Sequence, residues 1–146
     1  NPLVAPLSLF FDAQAQSSYH AGTAVLSQRF GGRFYWSVNY TWSKTLDNSS
    51  DPSLNGFPED PYNRGLERSL SRQHAAHRVV AVLSAEAGPR GLLRNLRASL
   101  ISSAQSANYF TVLAGSDANR DGNTNTDRVG TLGRNTYRGD SLLNVD

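Results

Sequence analysis

The residues best suited to chemistry lie between positions 117 and 127, in a stretch rich in Asp and Asn. Side-chain oxygens occupy its first, third, fifth and ninth places, and Gly122 occupies the sixth. Calcium-binding loops have this spacing, although they end on a bidentate acid at the twelfth place, where this chain has Arg128. A weak Ca²⁺ site is one interpretation, and a polar surface loop shaped by Asx turns is the alternative. The candidate ligands are Asp117, Asn119, Asp121, Asn125 and Asp127.

Other candidates for chemistry are sparse. His74 and His77 are three residues apart and would share a metal on a helix, but their segment is predicted to begin a strand. The sequence has no nucleophile elbow, zinc-protease motif or phosphate-binding loop. Acids such as Glu59, Asp60 and Glu67 are scattered in a polar segment and are expected to be solvated. We therefore predict that the protein is not an enzyme and has no cofactor other than the candidate Ca²⁺.

The element predicted most clearly is a β-strand over residues 33–43. Its apolar side chains alternate with polar ones, and a period of two is typical of a half-buried strand. From Phe34 to Trp42 the strand rises about 26 Å, which a tilt of about 40° reduces to about 20 Å. That height is near the apolar band of an outer-membrane barrel, whose rims also carry aromatic residues. A strand of a soluble β-sandwich is the alternative.

The rest of the chain is predicted to alternate short turns with long loops. Further strands are expected over 5–11, 18–30, 77–85 and 96–112, and another begins at 141. Gly31 and Gly32 indicate a tight turn, and a three-residue turn ending at Arg33 would pair Phe30 with Phe34 and join the apolar faces. Segment 86–95 predicts a second turn, whereas 44–73 and 115–140 are long and polar. This pattern predicts an antiparallel sheet.

Composition narrows the class of protein. Charged residues make up 18% of the chain, below the ~25% of soluble domains, and mean hydropathy is −0.46. No run of apolar residues is long enough for a transmembrane helix, and no cysteine is present for a disulfide. The formal charge of +2 is too small, and the arginines too scattered, to argue for nucleic acid, so we expect none as a partner. Because methionine is absent, we expect a fragment or a processed product.

A series of short motifs runs in order along nearly the whole chain. The motifs are Ser18–Ala21, Gln28–Phe30, Tyr40–Lys44, His77–Val80, Gln105–Thr111, Asp117–Arg128 and Arg134–Gly139. In this order they resemble the Oar-like TonB-dependent receptors of bacterial outer membranes. Ala107 and Tyr109 replace a glycine and a proline of that family's pattern, and Ala75-Ala76 replaces the residues that usually precede the motif at His77.

The resemblance implies an all-β fold: antiparallel strands of a transmembrane β-barrel, with short turns at one end and long polar loops at the other. Residues 1–146 would be a single segment of a larger barrel, without its plug and N-terminal region. The implied function is TonB-dependent uptake of a bulky nutrient, captured by the long extracellular loops, in the bacterial outer membrane. The implied partners are outer-membrane lipid, a TonB-type energising protein that binds outside this chain, and a nutrient that the sequence does not identify.

Strand alternation also assigns the two faces of the sheet. The predicted lipid face consists of Leu26, Phe30, Phe34, Trp36, Val38, Tyr40, Trp42, Val79, Ala81 and Leu83. The predicted lumen face includes Tyr35, Ser37, Asn39, Thr41 and Arg97. The alternative function is a soluble or surface-anchored β-sandwich that binds ligands through the same loops without transport.

Overall fold

The computed structural model describes residues 14–49 and 57–145, which form antiparallel β-structure and one turn of 3-10 helix, Arg64–Glu67. The prediction of an all-β antiparallel fold is confirmed. The strand predicted over 5–11 lies outside the described residues. The strands are β1 Ser17–Phe30, β2 Phe34–Asp47, β3 Ser69–Leu70, β4 His77–Glu86, β5 Arg97–Gln105, β6 Tyr109–Phe110, β7 Tyr137–Arg138 and β8 Leu142–Val145.

The β1–β2 hairpin is closed by the three-residue turn that strand parity predicted. Phe30 is paired with Phe34, and the backbone N–H of Arg33 donates to the carbonyl of Phe30 at 3.1 Å. Gly31 and Gly32 have φ of +53° and +70°, a left-handed backbone that glycine adopts without steric cost. The two glycines therefore supply the turn, and Arg33 keeps an ordinary backbone conformation.

The main sheet has the order β1-β2-β4-β5-β8, and β3 is paired with the end of β2. Residues 31–33 and 87–96 form short turns at one end of this sheet, whereas the long connections 48–76 and 106–141 lie at the other end. We call the long connections loop A (48–76) and loop B (106–141). Within the described residues the sheet is open, because β1 and β8 are its two edges.

Two predicted boundaries were wrong. Strand β2 continues to Asp47 rather than ending at residue 43, because its last residues pair with Ser17 on one side and with β3 on the other. The strand predicted over 96–112 ends at Gln105 and resumes only as the two-residue strand β6, which pairs with β7 inside the predicted loop. Both errors lie at the loop end, where pairing partners are distant in sequence.

The strand register assembles the predicted lipid face into one continuous surface. Val38 is opposite Leu26 on β1 and Ala81 on β4, and Trp36 is opposite Leu83. Directly opposed residues of an antiparallel pair project to the same side of the sheet. The other residues predicted to face lipid lie on this same side of the sheet. The residues predicted to face the lumen lie on the opposite side.

Burial is reversed relative to that of a soluble protein. Ala107 is the only buried hydrophobic residue in the described part of the chain, whereas ten polar or charged residues are buried. Leu26 and Trp42, on the outward face, are 66% and 55% exposed. Ser37, expected to face water in the lumen, is 6% exposed on the inward face. The described sheet therefore does not form one half of a β-sandwich with an apolar core.

Aromatic side chains mark both ends of the outward face. At the turn end, the rings of Phe30 and Phe34 are 6.0 Å apart. At the loop end, Tyr40 stacks on His77 at 6.1 Å, and its hydroxyl lies 2.8 Å from Nδ1 of that ring. These two rows lie where a barrel has its aromatic girdles. Among the described residues, no helix is long and apolar enough to cross a membrane.

Candidate functional site

The candidate site lies at the loop end of the sheet, where buried ion pairs join loops A and B. The Arg128 guanidinium of loop B contacts Glu67 through Nη2, and its Nε lies 3.4 Å from Oε2 of Glu59. Its Nη1 also donates to the carbonyl of Leu66 at 3.3 Å. Arg128 and Glu67 are 5% and 4% exposed. Loop A thus surrounds one buried cation of loop B.

A second arginine ties loop B to the end of strand β2. Arg134 contacts the Asp47 carboxylate through Nη2, which also donates to the Asp47 carbonyl at 2.6 Å. Its Nε donates to the carbonyl of Glu67 at 2.9 Å. Asp47 points inward because it lies on the same face of β2 as Ser37 and Ser43. The end of β2 therefore fixes the loops relative to the sheet.

Hydrogen bonds of uncharged side chains also connect loop B to loop A. Asn135, which is 5% exposed, donates from Nδ2 to the carbonyl of Leu70 at 2.7 Å. Its backbone N–H donates to Oγ1 of Thr111 at 2.9 Å, and Thr111 donates back to Oδ1 of Asn135 at 3.0 Å. The hydroxyl of Ser69 donates to the carbonyl of Arg134. Since buried polar groups are costly to leave unpaired, these bonds favour one arrangement of the two loops.

Loops A and B enclose a cavity of about 330 Å³. Phe57 of loop A and Phe110 of β6 give it an aromatic part, and both rings are about half exposed. Its charged lining consists of Arg64, Glu67, Arg72, Arg128 and Arg134. This volume is at the lower end of the range for ligand pockets, about 300–1,000 Å³. The cavity suits one part of a large solute that carries both apolar and charged groups.

The Asp- and Asn-rich stretch forms consecutive Asx turns at the surface. Both carboxylate oxygens of Asp117 accept backbone N–H groups, from Asp121 and Gly122, each at 3.0 Å. Oδ1 of Asn119 accepts the N–H of Asp121 at 2.9 Å, and Asp121 in turn accepts the N–H of Asn123 at 2.8 Å. The structure thus brings three of the five candidate ligands together: Asp117, Asn119 and Asp121.

Asp127 is buried and holds the start of these turns by hydrogen bonds to their backbone. It is 1% exposed, and its Oδ2 accepts the N–H groups of Ala118 and Asn119. Its Oδ1 is a buried acceptor without a partner among the described residues, which fits a cation. However, residues 14–49 and 57–145 contain no group of three or more acidic, His or Cys side chains placed to hold a metal. The Ca²⁺ site stays a prediction.

The two histidines of the predicted metal pair have separate partners. His77 faces outward and contacts Tyr40, whereas Nδ1 of His74 accepts the N–H of Thr45 at 3.2 Å. The His74 ring is 4% exposed and lies 5.6 Å from that of Tyr109. Burial, together with the nearby positive charge of Lys44, lowers the pKa of His74 below 6.5. His74 therefore acts as a neutral acceptor in the folded loop.

The sequence did not predict the ion-pair residues of this site. Glu67 was expected to be a solvated loop acid, but it is buried between Arg128 and Arg134. Arg128 is 61 residues from Glu67 in sequence, so no local spacing indicates the pair. The one signal available was the number of charges in the two long loops, which did not specify partners.

Comparisons with known proteins identify one family. Residues 8–146 match the model of a family described as an outer membrane beta barrel domain. No curated protein matches the chain, and no solved structure does.

Proposed function

Because the chain belongs to the family of outer-membrane β-barrel domains, we propose that it is part of a TonB-dependent receptor that takes up a bulky nutrient. Proteins of this family lie in the bacterial outer membrane. The proposed role of this chain is to supply strands of the barrel wall and two external loops that capture the nutrient. The proposal includes no catalytic step.

The ordered motifs that resemble Oar-like receptors support the finer part of this proposal. They include both strands of the first hairpin and much of loop B, so they extend over wall and loops alike. In such barrels the long loops are external and the short turns face the periplasm. Loops A and B are accordingly assigned to the outside of the cell.

The observation that carries the proposal is the cavity between loops A and B. A pair of loops that only connected strands would not need the buried ion pairs of Arg128 and Arg134. The Arg128–Glu67 pair holds the two loops together beside the cavity, and the Arg134–Asp47 pair holds loop B to the end of β2. A preformed site binds with a smaller loss of conformational entropy than two mobile loops would. This arrangement favours capture by a fixed surface.

The test follows the loss of solutes from a complex growth medium by untargeted mass spectrometry. Cells with the intact protein should deplete a set of solutes, and deletion of the energising protein should stop this depletion. Depletion that continued without the energising protein would overturn TonB dependence. Because the substrate is unidentified, the whole set of depleted solutes serves as the readout.

A pair of loop A variants tests the role of the cavity. Phe57→Ala removes an aromatic ring of the cavity wall and should reduce depletion of the same solutes. Tyr62→Ala is the control, because Tyr62 is 99% exposed and does not line the cavity. Both proteins should assemble in equal amounts. Equal depletion by the two variants would assign capture to another part of the protein.

A further inference from the structure

Positive charge lies on the outward face at the loop end of the sheet. The register places Lys44 of β2 directly opposite His20 of β1, so both side chains project outward. They lie two residues beyond Trp42, which belongs to the aromatic row at that end. Lys44 is the only lysine in the sequence, and its side chain is exposed.

Arg68 adds a second permanent charge to this surface. It directly precedes β3 and its backbone is extended, so the alternation that puts Leu70 opposite the outward Leu46 places Arg68 on the same face. Its Nη2 donates to Oγ of Ser18 at 2.9 Å, so the guanidinium reaches across the end of β2 to β1. Ser18 is two residues beyond His20, so the guanidinium contact lies about 7 Å along β1 from the position opposite Lys44.

Among the described strands, neither cation has an acidic neighbour on the outward face. The acids of the first four strands are Asp47 and Glu86, and both lie on the inward face. In the described residues no ion pair involves Lys44 or Arg68. Two like charges at this separation repel each other, and an anion placed between them would be attracted by both.

The position of the pair relative to the membrane indicates what the anion is. The aromatic row of Tyr40, Trp42 and His77 marks the external edge of the apolar band. Lys44 and Arg68 lie just beyond this row on the side that faces lipid, at the level of the headgroups. A soluble anion would have no reason to prefer this face over the lumen.

We propose that Lys44 and Arg68 bind a phosphate group on the headgroup of an outer-leaflet lipid. The arginine guanidinium matches two phosphate oxygens in a fork, and the flexible lysine supplies a point charge from the other side. The acyl chains of the lipid would lie along the apolar band below. The site is separate from the cavity between loops A and B and does not depend on the proposed transport.

The test measures lipid binding to the intact protein in detergent by native mass spectrometry. The probe is outer-leaflet glycolipid with its phosphates, compared with the same lipid after phosphatase treatment. Lys44→Gln with Arg68→Gln should weaken binding of the phosphorylated lipid about 25-fold, or about five-fold for each charge. Arg78→Gln is the control, since Arg78 is an arginine on the inward face in the loop half of the sheet, opposite Thr41, and this variant should bind as the wild type does.

The phosphatase-treated lipid tests the proposal with wild-type protein alone, so the result does not depend on how well the double variant assembles. Wild-type protein should bind it about as weakly as the double variant binds the phosphorylated lipid. Equal binding of treated and untreated lipid to wild-type protein would overturn the proposal, because the contact would then be apolar. Loss of binding in Arg78→Gln equal to that in the double variant would also overturn it, because general charge would explain the result.

Discussion

Replacing Arg128 by methionine should open the contact between loops A and B. Methionine keeps most of the side-chain volume and removes the charge, which leaves the buried carboxylate of Glu67 without its main partner. Arg134 stays close to Glu67, since its Nε lies 3.8 Å from Oε2. Arg134 is also held by Asp47, so it compensates only part of the lost charge.

The expected size of the effect follows from the geometry. The Arg128–Glu59 contact at 3.4 Å has about 5 kcal/mol of Coulomb attraction at an effective dielectric constant of about 20, before desolvation. Leaving one partner of a buried pair uncompensated costs about 3–5 kcal/mol. We expect about 3 kcal/mol, because the Glu59 side chain is 24% exposed and can turn toward water. The equilibrium for opening the loops should rise roughly 150-fold.

Hydrogen exchange of loop B amides in the assembled protein measures this opening. The amides of Ala114 and Asn135 are informative, since both donate hydrogen bonds inside the loop. Arg97→Met is the control: its ion pair with Glu86 is exposed, with 76% of the arginine side chain accessible, and should contribute less than about 1 kcal/mol. Exchange as slow in Arg128→Met as in this control would refute the reasoning.

A second substitution separates charge from packing. Adding Glu67→Gln to Arg128→Met removes the unpaired carboxylate and keeps an acceptor for the N–H of Glu59, which donates to Oε1 at 3.1 Å. Replacing a whole buried ion pair is often close to neutral, so the double variant should recover at least half of the lost protection. If it exchanges as fast as the single variant, lost packing and not an uncompensated charge explains the effect.

Three further predictions concern the membrane face, a histidine and the Asp-rich loop. Leu100→Arg should impair membrane assembly by about 2–4 kcal/mol, whereas Ser99→Arg on the inward face should assemble normally; equal folded fractions in a heat-modifiability gel would contradict the face assignment. Because the pKa of His74 is lowered in the fold, the unfolded loop binds more protons, so loop A should lose protease protection as pH falls through about 6.5, and His74→Gln should remove this pH dependence. Calcium should protect loop B from protease, and Asp121→Ala, unlike Asp140→Ala, should abolish the effect; identical digestion with calcium and with chelator would leave only the Asx turns.

The strands of the main sheet were predictable because the sequence patterns that indicate them are local. Alternation over residues 33–43 determined both faces of β2, and matching the apolar faces of two strands across Gly31 and Gly32 determined the turn length. Once that hairpin was in register, the position of Leu26 opposite Val38 followed. Each of these inferences used residues fewer than 20 positions apart, where the period of two and the turn chemistry act together.

The loop site was not predictable in the same way. Its partners are 61 to 87 residues apart, and every arginine in the two loops was an equal candidate for every acid. Strand β3 has two residues and exists because the end of β2 offers an unpaired edge. The calcium-like spacing of loop B was visible because Asx turns are local, but the burial of Asp127 depends on how the loop packs.

In this protein the role of a charged residue depends on the face of the sheet on which it lies. Lys44 and Asp47 are three residues apart on β2, so alternation sends the lysine outward and the acid inward. Glu67 and Arg68 are neighbours, yet Glu67 is buried between two arginines while Arg68 reaches over the outward face to Ser18. Asp47 and Glu67 find partners within the chain and hold the loops, whereas Lys44 and Arg68 are left for the surroundings. A one-residue shift in the pairing of β2 would exchange these roles, so the register that defines the wall also separates the loop site from the lipid site.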